Sequence, residues 1–412
     1  MTIDTKYQKP NLLNYQAAIG FFFLAAVLGT LMRFMYLQEV KFLEYKNVLH
    51  AHSHIAMLGW GFTALAGVLV FTFIPTFNKG KIYQNILNAN LIAGIGMLFS
   101  FLSQGYGAIS IGFCTAHIFI VYIFSWYFLK DLKKVPQTMG TKLAKWAIYL
   151  MVISTIGLWS IGPISIFLGK QHPLYFASIQ FFLHMQFNGW FTFGILALLF
   201  KLSEKNGHVV HLPKGTLTLI WLSLIFTYSL SITWSTPMDI LFYLNSTGVI
   251  LQIVAFLLLA KGFYKSADLF FSTGSLSSWM LRFGLASLAL KVIIQGAVVL
   301  PFIAKASYTI RNFVIGFIHL TMLGAFSLSL IGLLIHLELL PSGRMASMGY
   351  RLIVFGFLST EAVLFLQGIL LWAGKGFITN YHSIIFIATA LLPIGLLSVF
   401  IASLKSKKHL TI

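Results

Sequence analysis

Histidines are the residues best able to do chemistry in this chain. His50, His52 and His54 crowd into five positions, and nine more histidines are spread through the 412 residues. Neutral imidazole is the commonest side-chain ligand for haem iron and copper. His50 and His54 lie four residues apart and share one helix face, as metal-binding His-x3-His pairs do. His52 is turned about 200° from each and points the other way. The triplet can serve two neighbouring centres, or it can simply hydrogen-bond where a helix meets water.

A His-x4-Gly pattern recurs at His54/Gly59, His184/Gly189 and His319/Gly324, inside HSHIAMLGWGF, FFLHMQFNGWF and GFIHLTMLGAF. With 12 histidines and 34 glycines in the chain, the pattern alone means little. Its placement carries the weight, because the histidines stand 130 and 135 residues apart, the length of a four-helix unit. Two deep charges, Lys291 and Glu361, each sit near the middle of an apolar run and suit a buried ion pair or a proton path. Arg311, two turns before His319, can hold a carboxylate such as a haem propionate or anchor a helix end. Phe181, Phe182, Phe317, Met57 and Met322 can wall a porphyrin, although aromatics and methionines are equally ordinary in apolar spans.

Composition says what kind of scaffold holds these residues. The chain is 58% hydrophobic and 9% charged, more apolar than a water-facing exterior allows. A helix needs about 20 apolar residues to cross the hydrocarbon layer. Runs of that kind fall at 15–37, 48–76, 83–104, 106–130, 142–168, 173–201, 215–234, 239–261, 279–304, 311–337, 350–374 and 381–404. The expected fold is all-α: a polytopic bundle of about twelve transmembrane helices in three pseudo-repeated four-helix units, 15–130, 142–261 and 279–404. No linker or soluble insertion interrupts it, so 1–412 is read as one integral membrane domain. The stretch MTIDTKYQKPN has no cleavable signal character, and the first span is expected to serve as the anchor.

Charge sets the orientation. The termini and the loops after even-numbered spans carry 19 lysines and arginines against 6 in the loops after odd spans. By the positive-inside bias both termini are cytoplasmic and the protein belongs in the cytoplasmic membrane. The net charge of +19 is scattered singly through connectors, which argues against nucleic acid. A lone cysteine, Cys114, excludes a disulfide framework and a cysteine-based zinc or iron–sulfur site within the chain. On this topology His50, His52, His54, His117, His172, His184, His319 and His382 fall in the outer half of even-numbered spans, whereas His208, His211, His336 and His409 are cytoplasmic. Histidine in lipid is costly and usually faces an interior site. His54 and His319 lie about 6–12 Å below the outer helix ends and His184 about 17 Å. The first two therefore make the better-matched axial pair, although any two of the three remain open.

HSHIAMLGW, His52–Trp60, resembles the His-x-His-x4-Gly-Trp stretch on the tenth helix of C-family haem–copper oxidases. In that family the two histidines ligate a high-spin and a low-spin haem. Twelve helices with threefold pseudosymmetry also resemble the catalytic subunit of that superfamily. NnrS-type membrane haem proteins are similar too, through His50-Ala51-His52 on the second helix and the His-Leu-Thr motif at His319–Thr321. This chain departs from the oxidase pattern: the motif is on the second span, and Phe317 stands where the first histidine of span 10 would be. No His-His pair lies near span 7, so the usual three copper ligands are missing.

The resemblance implies a haem, of b type, held by two of His54, His184 and His319, with His52 a further ligand and copper a second metal at the His50–His54 cluster. It implies electron transfer or chemistry on O2 or NO, an electron donor or respiratory-chain subunits as partners, and a reductase or oxidase with an incomplete ligand set. Two other classes compete. One is a twelve-span secondary transporter, disfavoured by three parallel repeats and by prolines that mostly lie at span ends. The other is an assembly factor that passes haem or metal to an oxidase.

Overall fold

A computed structural model describes residues 12–74, 80–266 and 274–406. The N-terminal stretch 1–11 and His409 lie outside the described residues. Every regular element among the described residues is helical, as lipid demands: without water, a spanning backbone must satisfy its own hydrogen bonds. Eleven helices among them are long and apolar enough to cross a membrane. The seventh expected span is a shorter apolar helix, α9 (Thr216–Ile232, 17 residues), at the lower end of what a bilayer needs.

The helices group into two compact units. The first comprises 1–136, 330–363 and 377–412, and the second 137–329 and 364–376. In the first, α1 (Leu12–Phe34) packs against α2 (Tyr45–His54), α3 (Phe62–Phe73) and the C-terminal α16 (Tyr381–Ser406). Gln16 donates 2.7 Å to the Ser403 carbonyl, and Phe22 stacks on Trp60 at 4.7 Å. Helices α4 (Gly80–Gln104) and α5 (Ala108–Leu132) form a hairpin, joined by the tight turn that the sequence implies.

In the second unit α6 (Met139–Phe167) packs along α7 (Pro173–His184) and α8 (Thr192–Lys205), while α9 pairs with α10 (Asp239–Phe263). The run 279–304, read from the sequence as one span, is instead divided. Helix α11 (Leu276–Ala297) stops, and α12 (Pro301–Thr309) starts afresh with Pro301 in its first turn. Proline lacks the N–H that would continue α11, but it fits a helix start. Then come α13 (Arg311–His319) and α14 (Ser329–His336). Helix α15 (Arg344–Trp372) completes the set.

Burial separates the spans into two kinds. In the second, sixth and tenth, 83%, 72% and 72% of the most apolar stretch is buried, against 22–50% in the others. Those three carry the His-x4-Gly pattern, so the repeat marks interior helices. The glycines explain part of it. A Cβ on Gly59 would lie 3.0 Å from the Phe21 ring of α1, and one on Gly189 would lie 2.9 Å from Leu150 Cβ of α6.

Helix α6 gives a direct test of this close packing. A Cβ on Gly157 would collide with the Ser178 carbonyl oxygen and sit 3.1 Å from Phe182 N, whereas one on Gly162 meets nothing within 4 Å. Gly157→Ala should cost about 1–3 kcal/mol through overpacking and lower the melting temperature of the detergent-purified protein. Gly162→Ala should leave it unchanged. Equal melting temperatures for the two variants would refute this packing.

Candidate functional site

Each histidine of the repeat occupies the same local position. His54, His184 and His319 are each the last α-helical residue before a π-helical segment: Ile55–Gly61, Met185–Phe191 and Leu320–Leu328. Each segment also packs on the helix that opens its group: α1 on the first, α6 on the second and α11 on the third. The π-turn is rare, appears mostly as single bulges and is common at functional sites. Widening the helix disturbs the i→i−4 ladder, and side chains meet the disturbed carbonyls. Thr192 Oγ1 donates 2.8 Å to the Phe187 carbonyl and Ser327 Oγ 2.7 Å to the Met322 carbonyl, each across five residues. Position 62, the equivalent in the first segment, is phenylalanine. There the Met57 carbonyl is met by Phe62 N, and one residue further on Asn90 of α4 donates 3.0 Å to the Leu58 carbonyl.

Asn90 also settles the orientation of a histidine. Its Nδ2 donates to Leu58 O and Thr63 Oγ1, so Oδ1 faces His117 Nδ1 at 2.6 Å. An amide oxygen only accepts, so Nδ1 carries the hydrogen and the neutral His117 ring keeps its lone pair on Nε2. His52 and His54 follow the same rule. His52 Nδ1–H donates 2.7 Å to the Ala25 carbonyl of α1, and His54 Nδ1–H donates 2.8 Å to the His50 carbonyl one turn back. Metal-binding histidines are normally held this way, one ring N–H on a carbonyl and the other nitrogen turned to the metal.

The two faces implied by the triplet spacing are present. His52 lies against α1, where its ring closes over Gly29. His50 and His54 face Phe101 and Tyr106, with ring centres 4.5 Å apart for His50–Tyr106 and 4.3 Å for His54–Phe101. Tyr106 sits in the α4–α5 turn, and its hydroxyl lies 3.3 Å from His54 Nε2. The turn depends on Gly105, whose φ of +61° favours glycine, and whose absent Cβ leaves room for the Asn47 side chain. His50 Nε2 is buried without a hydrogen-bond partner. Such an atom calls for an explanation, and a bound group is one.

In the second unit the sixth-span histidine is held differently. His184 Nε2 lies 2.8 Å from the Leu224 carbonyl, so that nitrogen carries the hydrogen, and Nδ1 accepts from Asn188 Nδ2 at 3.2 Å. Asn188 is held in turn by Lys291, whose Nζ donates 2.7 Å to Oδ1. Both ring nitrogens of His184 are thus engaged by the protein. His319 is half-buried at the end of α13, and Arg311 is exposed as its first residue. Glu361, 8% exposed in α15, belongs to the first unit, where Arg33 lies within electrostatic reach of it and of His52.

The remaining histidines have plainer roles. His172 caps α7, accepting from Leu174 N, and His382 stacks on Tyr36 at 5.0 Å. His208, His211 and His336 are exposed. Among the described residues no three His, Cys, Asp or Glu side chains gather as a metal-binding group. Asn90 and Tyr106 escaped the sequence reading because nothing local to them marks a partner some 30–50 positions away. Thr192 and Ser327 did leave a signal, a hydroxyl residue eight positions after His184 and His319. Compared with models of known protein families and with curated proteins, the chain matches none.

Asn90→Leu removes the partners of Leu58 O, Thr63 Oγ1 and His117 Nδ1 at once. Leaving a buried polar group unpaired costs about 1–3 kcal/mol, so this variant should melt well below the wild type. Asn88→Leu, two residues away on another face of α4 and exposed, should shift stability by less than about 0.5 kcal/mol. Equal melting curves for the two variants would refute the role of Asn90.

Proposed function

We propose that this chain is a haem-binding membrane protein that handles electrons or a diatomic gas, with His52 and His54, on different helix faces, as ligands of separate irons. One observation carries the reading. Both rings are tied through Nδ1–H to a backbone carbonyl, which fixes each in direction and puts the lone pair on Nε2; in His54 that nitrogen faces the Tyr106 hydroxyl at 3.3 Å, which a bound iron would displace. The donor set fits a haem: neutral imidazoles, an aromatic wall at Phe101 and Tyr106, and the buried Nε2 of His50 without a partner. His184, its Nε2–H on the Leu224 carbonyl and its Nδ1 facing the Asn188 amide that Lys291 holds, fits less well than the sequence repeat suggests.

The chain's own part is to hold and shield. The Ala25 and His50 carbonyls orient the two rings and raise their basicity as ligands. Phe101 and Tyr106 pack against His50 and His54 and keep water from them. The π-turn after His54, with its Leu58 carbonyl held by Asn90, sets the helix direction beyond the ligand. Bound haem would supply a one-electron couple and, with one open iron position, a site for O2 or NO. Resemblance to the haem–copper oxidase superfamily and to NnrS-type proteins supports the same reading. The bias of lysine and arginine supports cytoplasmic termini in a cytoplasmic membrane. No copper centre is proposed, since copper would need a ligand group that the described residues do not assemble.

A reduced-minus-oxidised optical spectrum of the detergent-purified protein, with iron analysis of the same sample, tests the reading. A haem band should appear and be reduced in His52→Ala and in His54→Ala, while His208→Ala keeps it. Carbon monoxide binding to the reduced protein then separates gas chemistry from pure electron transfer. A colourless, iron-free protein from haem-supplied cells would sink the proposal and turn attention to transport.

A further inference from the structure

Lys291 is 2% exposed in α11. Within its unit the ammonium makes one hydrogen bond, to Asn188, and stands 6.0 Å from the centre of the Phe317 ring. An ammonium has three N–H donors, so two remain. Beside it lies a cavity of about 70 Å³, whose polar lining is Lys291, Asn188, Thr192, Ser223, Thr227 and Gln252. One water needs about 10–15 Å³ of such space, so the cavity has room for water.

The hydrogen-bond inventory decides what can occupy this space. Thr192, Ser223 and Thr227 each donate their hydroxyl hydrogen to a backbone carbonyl, so toward the cavity they offer only lone pairs. Gln252 gives one amide hydrogen to Gln295 Oε1 at 2.9 Å, and its own Oε1 is buried without a partner. The lining therefore offers four oxygen acceptors against two ammonium hydrogens and one amide hydrogen each of Asn188 and Gln252. An anion would also meet lone pairs, and a metal cation would meet the ammonium. Water suits both sides, because it accepts from Lys291 and donates to Gln252 and the hydroxyl oxygens.

We propose that this cavity is a hydrated proton-exchange site, in which water bridges Lys291 Nζ to Gln252 Oε1. The step is a simple transfer: an N–H bond of the ammonium breaks as an O–H bond forms on the neighbouring water, leaving a neutral amine and a hydronium ion. The reverse step restores the ammonium. Lys291 is also a positioning residue, since its N–H fixes the Asn188 amide and thereby the Nε2–H form of His184. The site is independent of the haem reading.

X-ray hydroxyl-radical footprinting of the full-length protein in lipid nanodiscs tests for the water. Radicals formed from trapped water should oxidise Phe256 and Leu288, which line the cavity, at least tenfold faster than outward-facing Phe355, 64% exposed. Gln252→Leu, which keeps Lys291 and its fold, should cut that labelling several-fold. Labelling of Phe256 no faster than Phe355, or unchanged by Gln252→Leu, overturns the proposal. For the proton step, protein labelled with ¹⁵N at lysine Nζ is transferred to D2O, with the Lys291 signal identified by its loss in Lys291→Arg. Exchange within a minute, slowed at least tenfold in Gln252→Leu, supports the site. Protons that persist for hours overturn it.

Discussion

A carbonyl that leaves its helix ladder inside an apolar bundle must find a donor within the protein, because lipid offers none. The three π-segments create that situation on the three most enclosed helices, and the local architecture follows from how each is resolved. Thr192 and Ser327 solve it within their own helix by bonding back five residues. In the first segment Asn90 reaches in from a neighbouring helix, to the Leu58 carbonyl. The difference has consequences, because a partner that comes from outside can do a second task.

Asn90 does that second task by fixing His117, and similar logic runs through the other histidines. A histidine's usefulness depends on which nitrogen holds the hydrogen, and that is set by the group facing the other nitrogen. Backbone carbonyls face Nδ1 of His52 and His54, so Nε2 holds the lone pair, and in His54 it faces the Tyr106 hydroxyl. For His184 the carbonyl faces Nε2 and Asn188 faces Nδ1, so the ring is committed on both sides. Three histidines equivalent in sequence and in helix position thus do not share one chemical state.

The deep charges illustrate the same dependence on surroundings. Lys291 bonds to an amide in the second unit, and Glu361 has Arg33 within electrostatic reach in the first. A buried ammonium bonded only to an amide retains two strong donors. Placed beside a small space lined with lone pairs, it favours water over either an anion or a dry contact.

Hydropathy alone established that the chain is an α-helical membrane protein, because apolar runs of about 20 residues leave the backbone no other solution. Spacing alone marked His54, His184 and His319 as equivalents, and helical rotation alone put His52 on a different face from His50 and His54. Proline chemistry that divides the run 279–304 was present at Pro301 but hidden by the uniform hydropathy around it. The tertiary structure decided what one-dimensional pattern cannot carry: which nitrogen of each ring holds the hydrogen, that Asn90 reaches the Leu58 carbonyl, and that Lys291 and Gln252 border one cavity. Those outcomes depend on carbonyls and amides contributed by other helices, and the direction of a hydrogen bond is set where the chains meet, not along either one.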